Sequence, residues 1–223
     1  MPQRSQVLLE PRKRPVQARS TASVNAILEA TIQVLLRVGK ERLTTTRVAL
    51  RAGVSVGTLY QYFPNKSALL QAVLQRHLDH VTSAVERACK EQEGATLRQM
   101  ATALVTTFFE AKMKSAKTSV ALYSVSADVD GAKIVQQMGK RSSKAIVEML
   151  ASSREPLRKD PQVVASILQG AMAGISRSLL ESVAPEKQYE AVRDELVLFA
   201  CNYLDASSAA TVGAFGRGPG RVR

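Results

Sequence analysis

Between Thr44 and Lys66 the chain has room for only two short helices, and the residues that punctuate them leave few ways to arrange the pair. Thr44 offers a hydroxyl cap ahead of an inward run of Val48, Ala49 and Ala52. Gly53 then breaks the helix with the residue type that takes a positive φ most readily. Val54 plugs the angle and Ser55 caps a second helix from Ser55 to Phe63, in which Leu59 and Phe63 face inward at i, i+4. Pro64-Asn65 ends that helix and caps the next. A helix-turn-helix asks for two short helices, such a turn, and a second helix whose outer face is polar and slim enough to approach bases.

The outer face of that second helix meets the last demand. With Leu59 and Phe63 turned in, Val56, Gly57, Thr58, Tyr60, Gln61 and Tyr62 share the outer and flanking surfaces, which predicts docking of about Ser55 to Tyr62 in a DNA major groove. Thr58 and Tyr60 supply hydroxyls for phosphates, Gln61 an amide for a base edge, and Tyr62 a ring edge or hydroxyl. Gly57 is costly inside a helix, by roughly 1 kcal/mol against Ala, so its presence suggests close approach of a backbone, with DNA as the candidate. Thr44, Thr45, Thr46 and Arg47 open the first helix of the pair beside the neighbouring phosphates, and Lys66 would hold another phosphate beside free helix amides. Against these stand plainer roles: Tyr60 or Tyr62 packing inward, Thr44 acting only as a cap.

Charge agrees with a polyanion partner. Residues 1–66 carry 11 basic and 3 acidic side chains, a net of +8 out of +12 for the chain. Such asymmetry suits nucleic acid or an anionic membrane, and alone selects neither.

Elsewhere the apolar residues recur at helical spacing, aromatics make up only 4% and Trp is absent, so the expected core is aliphatic and the fold class all-α. A first helix is predicted over Ser20–Val38, with Gly39 as its stop, and a fourth from Lys66 to Lys90 with Leu69, Leu70, Val73, Leu74, Leu78 and Val81 inward. Further helices are predicted over Leu97–Met113, Thr118–Val125, Ile134–Leu150, from Pro161, and from Pro185 to Leu204, about nine in all. The expected organisation is an irregular basic arm at 1–19, a three-helix helix-turn-helix domain at 20–66, a helical bundle at 67–205 and an irregular Gly/Arg tail at 206–223. No stretch reads as a membrane span, Val7-Leu8-Leu9 is too short for a signal-peptide core, and a cytoplasmic location follows as the expectation. Cys89 and Cys201 fit no metal or redox pattern and read as reduced, mostly buried thiols.

The string Thr-Thr-Thr-Arg-Val-Ala-Leu-Arg-Ala-Gly-Val-Ser-Val-Gly-Thr-Leu-Tyr-Gln-Tyr-Phe-Pro-Asn-Lys-Ser-Ala-Leu-Leu, Thr44 to Leu70, resembles the TetR/AcrR family of bacterial regulators. The likeness covers roughly Ser20 to His80 and extends beyond it only in helix count and order. Lys40 departs from the pattern, standing where the family carries an aromatic residue. The resemblance implies a homodimer on a palindromic operator, usually a repressor released when a small molecule enters the C-terminal domain.

The C-terminal sequence bears on each implication. Wide apolar sets on the last two helices suit a partner as well as a core: Val164, Ile167, Leu168, Ala171, Ile175, Val192, Leu196, Phe199 and Tyr203 are the candidate dimer residues, and Gly170 and Gly174 would permit close helix approach. Phe108, Phe109, Met113, Tyr123, Met138, Met149, Met172 and Ser176 are candidates to line an effector cavity, with plain core packing as the simpler role. No buried acid or base stands out there, so an apolar or aromatic effector is expected. His77 and His80 lack a third metal ligand and read as an exposed or hinge-side pair; no metal or cofactor is expected. No nucleophile elbow, phosphate loop or HExxH is present, which argues against an enzyme. Two alternatives share the same head: an architectural DNA-binding protein without effector, and an activator.

Overall fold

The computed structural model describes residues 14–126 and 131–208, with side chains from Ser20 onward. The described residues form helices α1 (Arg14–Arg42), α2 (Thr45–Ala52), α3 (Val56–Tyr62), α4 (Lys66–Glu91), α5 (Leu97–Met113), α6 (Ala116–Ser126), α7 (Gly131–Ala151), α8 (Pro161–Glu181) and α9 (Pro185–Ser207). The fold is all-α, as the periodicity predicts.

Two compact units divide the chain, Met1–Val73 and Leu74–Arg223. In the first, α2 packs on α1 and α3 on α2. Ile27, Leu28, Val34 and Leu35 of α1, Leu43, Val48 and Ala49 around α2, and Leu59 and Phe63 of α3 are all buried. Gly53 sits at φ 69 as the α2 C-cap, its N–H donating to the carbonyls of Ala49 and Leu50. That left-handed conformation strains any residue with a Cβ, which explains the glycine. Asn65 closes the next junction: its Oδ1 accepts the Ala68 N–H at 2.8 Å and so caps α4.

In the second unit α5 packs along α9 and against α7 and α8. Their buried faces share one core of Leu97, Met100, Leu104, Val105, Phe109, Ile146, Met149, Leu150, Val164, Leu168, Met172, Leu196 and Leu204. Thr96 and Gln99 start α5 with a capping box, and Asp160 with Pro161 starts α8. Arg141 ties α7 to the C-terminal part of α4 through Glu86 and Asp79, whose carboxylates raise its pKa.

Several boundaries differ from expectation. Helix α1 begins at Arg14, inside the segment predicted as irregular; at Gly39 (φ 75, ψ 169) its backbone leaves the helical conformation, as the expected stop requires, and a short helical piece follows to Arg42. Helix α9 extends to Ser207, three residues beyond Leu204. The rest of the predicted arm and tail, residues 1–13 and 209–223, lies outside the described residues. The expectation that no stretch is long and apolar enough to span a bilayer is also corrected, because α8 is. Its apolarity has a local use: Val164, Ala165, Leu168, Met172 and Leu179 fill the core just described.

Candidate nucleic-acid interface

Seven residues are few for a helix, and α3 is held by its ends and one buried face. Ser55 Oγ accepts the Thr58 N–H at 2.9 Å and lies 2.8 Å from Thr58 Oγ1, while the Phe63 N–H closes onto the Leu59 carbonyl. Leu59 is fully buried. The remaining side chains point elsewhere: Val56, Gly57, Tyr60 and Gln61 are exposed, Thr58 and Tyr62 half-buried. The polar outer face drawn from the sequence therefore exists as one surface.

Helix α2 adjoins it. Thr45 Oγ1 and Tyr60 Oη lie 3.1 Å apart, which joins the first residue of α2 to the exposed face of α3. Thr44 Oγ1 accepts the Arg47 N–H at 3.3 Å and Arg47 Nη1 donates to the Arg42 carbonyl at 2.7 Å, so the α2 N-terminus is fixed before any ligand arrives. Thr44 and Ser55 thus spend their oxygens on caps, and their place in a DNA surface is to hold backbone amides in position. Thr46 is exposed there.

Lys66 also has a bond within its own unit. Its Nζ donates to the Lys40 carbonyl at 2.7 Å, clamping the start of α4 to the end of α1 and leaving two N–H groups for a phosphate. The departure at Lys40 is met here through its backbone. Gly57 carries a clearer message: a Cβ built on it meets only Ser55 Oγ, at 3.7 Å. Nothing among the described residues demands glycine at this exposed site, so its cost to the helix is left for an outside contact to explain. One feature escaped the sequence reading. Arg37 of α1 with Arg47 and Arg51 of α2 lines a basic groove, where Arg51 Nε donates to Gln33 Oε1 at 2.6 Å. The i, i+4 spacing of Arg47 and Arg51 was its available signal.

In the second unit the expected residues separate. Val164 and Leu168 are buried in the core of their own chain, a correction to the dimer set, while Leu196 belongs to that core and also lines a groove between α8 and α9. Ile167, Ile175 and Phe199 are exposed, joined by Val163 and Leu198, and Ala171, Val192 and Tyr203 are half-buried. Of the expected cavity residues, Phe109, Met149 and Met172 belong to the core, Met113 packs against it, and Met138 and Ser176 are buried. Only Phe108 and Tyr123 come together around something chemical, and that is a residue the sequence reading missed. Lys112 is 7% exposed, its Nζ donating to Tyr123 Oη at 3.1 Å and lying 5.2 Å from the Tyr123 ring centroid and 5.8 Å from that of Phe108. The expectation of no buried acid or base fails here.

His77 of α4 belongs to the same neighbourhood. Its Nε2 lies 3.0 Å from Ser119 Oγ, and it is not the exposed partner of a pair; only His80 is exposed. Burial, then the charges of Lys112 and His80, lower its pKa from 6.5 to about 4. Cys89 and Cys201 are free and buried as expected, and burial with Glu86 raises the Cys89 thiol to about 12.

Comparison with known proteins points one way. Residues 27–73 match a family model described as bacterial regulatory proteins, tetR family, and residues 96–204 one described as tetracyclin repressor-like, C-terminal domain. The chain is similar to the HTH-type transcriptional repressor KstR of Mycolicibacterium smegmatis, 42% identical over 62 residues, which is 28% of this chain and 30% of that protein. It is also similar to the nucleoid occlusion factor SlmA of Haemophilus ducreyi, 43% identical over 58 residues, 26% of this chain and 28% of that protein. The match thus spans under a third of either relative. Among solved structures, SmeT, the repressor of the Stenotrophomonas maltophilia multidrug efflux pump SmeDEF, superposes with a TM-score of 0.64 at 20% identity over 92% of this chain and 99% of its own. The fatty acid degradation regulator FadR from Bacillus halodurans gives 0.61 at 16% identity over 84% and 97%. At such identities these two show the fold.

The His77 environment has a measurable consequence. The folded state keeps the imidazole neutral while the unfolded chain protonates it below about 6.5, so this contribution is full above pH 6.5 and is lost as the pH falls toward 4. A shift of this size amounts to on the order of 3 kcal/mol at full extent. Thermal unfolding followed from pH 7 to pH 5 is expected to show a slope that His77→Gln flattens; equal slopes in both proteins contradict the assignment.

Proposed function

The chain belongs to the tetR family of bacterial regulatory proteins and is a DNA-binding transcriptional regulator; from that premise we propose that it is a homodimeric repressor of a palindromic operator, released by a small-molecule effector. The single observation that carries the reading is the exposed, capped α3 with a glycine at position 57 that nothing among the described residues requires. In this reading Gln61 and Tyr62 read base edges, Gly57 admits the DNA backbone, and Thr45, Thr46, Arg47, Thr58, Tyr60 and Lys66 hold phosphates. The protein works as a cytoplasmic, DNA-seeking dimer.

The dimer reading rests on an apolar surface along α8 and α9. Ile175, Val192, Leu196 and Phe199 line a groove there with Ala171 and Ala191, and Glu195 stands on its lining as well. Ile175 and Phe199 are 37% and 47% exposed, and Val163, Ile167 and Leu198 add further exposed apolar side chains on the same two helices, a surface that a partner chain would cover. Gly170 and Gly174 are exposed on the same helix, with nothing within 4 Å of a built Cβ, which leaves room for a second helix to approach. Two heads joined this way bind half-sites about one helical turn or a multiple apart. A ligand in the C-terminal bundle then acts by tilting α4 and changing the distance between heads.

The similarity to a nucleoid occlusion factor favours one second reading, a protein that occupies DNA without an effector. Genome-wide mapping of bound sites separates the two. A regulator is expected to yield a few sites sharing a palindrome, bound roughly 10³-fold or more above nonspecific DNA, and scattered binding without a shared motif would sink the repressor reading.

On the mapped operator, Gln61→Ala and Tyr62→Ala are expected to relax base preference, by about 1 to 3 kcal/mol per lost contact in competition binding. Gly57→Ala is expected to weaken binding while leaving the fold as stable or stabler by up to about 1 kcal/mol. Unchanged affinity in all three means the reading face lies elsewhere.

Ile175→Glu places a second carboxylate, beside Glu195, in the groove. Analytical ultracentrifugation is expected to show monomers, with operator affinity lost alongside; a stable dimer moves the interface off α8.

A further inference from the structure

We propose that Lys112 is the anion-binding floor of the effector site and that the effector is an organic monocarboxylate, its carboxylate held by Lys112 and Tyr123 and its apolar body lying on Phe108. The inference rests on the effector reading above and gives that effector a chemistry.

A buried ammonium is stable only with compensation, and Lys112 has little. Among the described residues no carboxylate pairs with it. Its one hydrogen bond goes to a neutral phenol, Tyr123 Oη at 3.1 Å, which leaves two of three donors for another acceptor. The rings of Phe108 and Tyr123 lie at 5.8 and 5.2 Å, near the outer limit of useful cation–π contact. The other nearby charges do not neutralise it. Arg177, over the far contact of the Tyr123 ring at 5.7 Å, is itself a cation and is paired with Glu181 at 2.9 Å. His77, across Ser119, is neutral at ordinary pH.

These surroundings select the ligand. One buried cation matches one negative charge, a metal ion would be repelled, and two aromatic rings favour an apolar body over a polyphosphate. Ser119 adds the regulatory link. Its Oγ lies 3.5 Å from the Lys112 carbonyl and 3.0 Å from His77 Nε2, so the site touches α4, the helix whose first residue is Lys66.

The test reads ligand binding without DNA first. Thermal shift and calorimetry on the full chain use octanoate, decanoate and benzoate, each beside its primary amide. The carboxylates are expected to raise the melting temperature and the amides not, with the response lost in Lys112→Met. Tyr123→Phe, which removes only a hydroxyl, is expected to weaken carboxylate binding about tenfold. Equal response to acid and amide, or none to any acid with Lys112→Met melting well below the parent, overturns the proposal and makes Lys112 a structural brace. On the mapped operator, octanoate or its better-binding analogue is expected to lower affinity about tenfold or more. Binding through Lys112 with no such change overturns the effector role alone. Failure to find an operator refutes the repressor reading separately, since the melting experiments contain no DNA.

Discussion

A seven-residue helix has too few internal hydrogen bonds to stand in water, and the first unit is arranged around that constraint. Helix α3 persists because Leu59 is buried, Phe63 closes its end, and Ser55 satisfies an amide at its start. Each of those anchors points away from the outer face. The outer face proposed to meet DNA is consequently left with few structural bonds, those of Thr58 to Ser55 and Tyr60 to Thr45. Gly53 at φ 69 is the price of this geometry, since α2 must end abruptly for α3 to leave at an angle.

The second unit resolves a different conflict. Helices α8 and α9 must fill their own core and still present an apolar face, and they do so by splitting their surfaces. Val164, Leu168 and Leu196 turn inward, Ile167, Ile175 and Phe199 outward. The same apolarity that makes α8 long and greasy enough to resemble a membrane span therefore comes from two faces, one filling the core and one exposed, which the dimer reading assigns to a partner.

The difference in legibility between the two units follows from how they are specified. In residues 44–66 the caps, the αL glycine and the i, i+4 anchors are local devices, so helix limits and the exposed face could be read from neighbouring residues. What stayed hidden there was nonlocal: the Lys66 amine reaches back 26 residues to the Lys40 carbonyl, a bond no spacing announces. In the bundle, periodicity gave the helices but not which wide apolar face goes where, because burial depends on partners distant in sequence. Val164 and Ile167 look alike in the string and differ completely in exposure.

Lys112 was legible in principle. It lies at i+4 from Phe108 and i+7 from Val105, on the inward stripe of α5, and a lysine on an apolar stripe invites the assumption that it snorkels to water. Here it is capped instead by Tyr123 of α6, so its chain ends inside. A core that merely needed filling would place a methionine or leucine at this position at no electrostatic cost. The retained charge, the unmatched donors and a histidine held neutral beside it form one arrangement, and natural proteins hold such destabilising features where function needs them. Gly57 on α3, costly inside a helix, and Lys112 on α5, a charge taken out of water, are each unfavourable where they sit, and in the readings proposed above each is explained by a molecule that its helix meets.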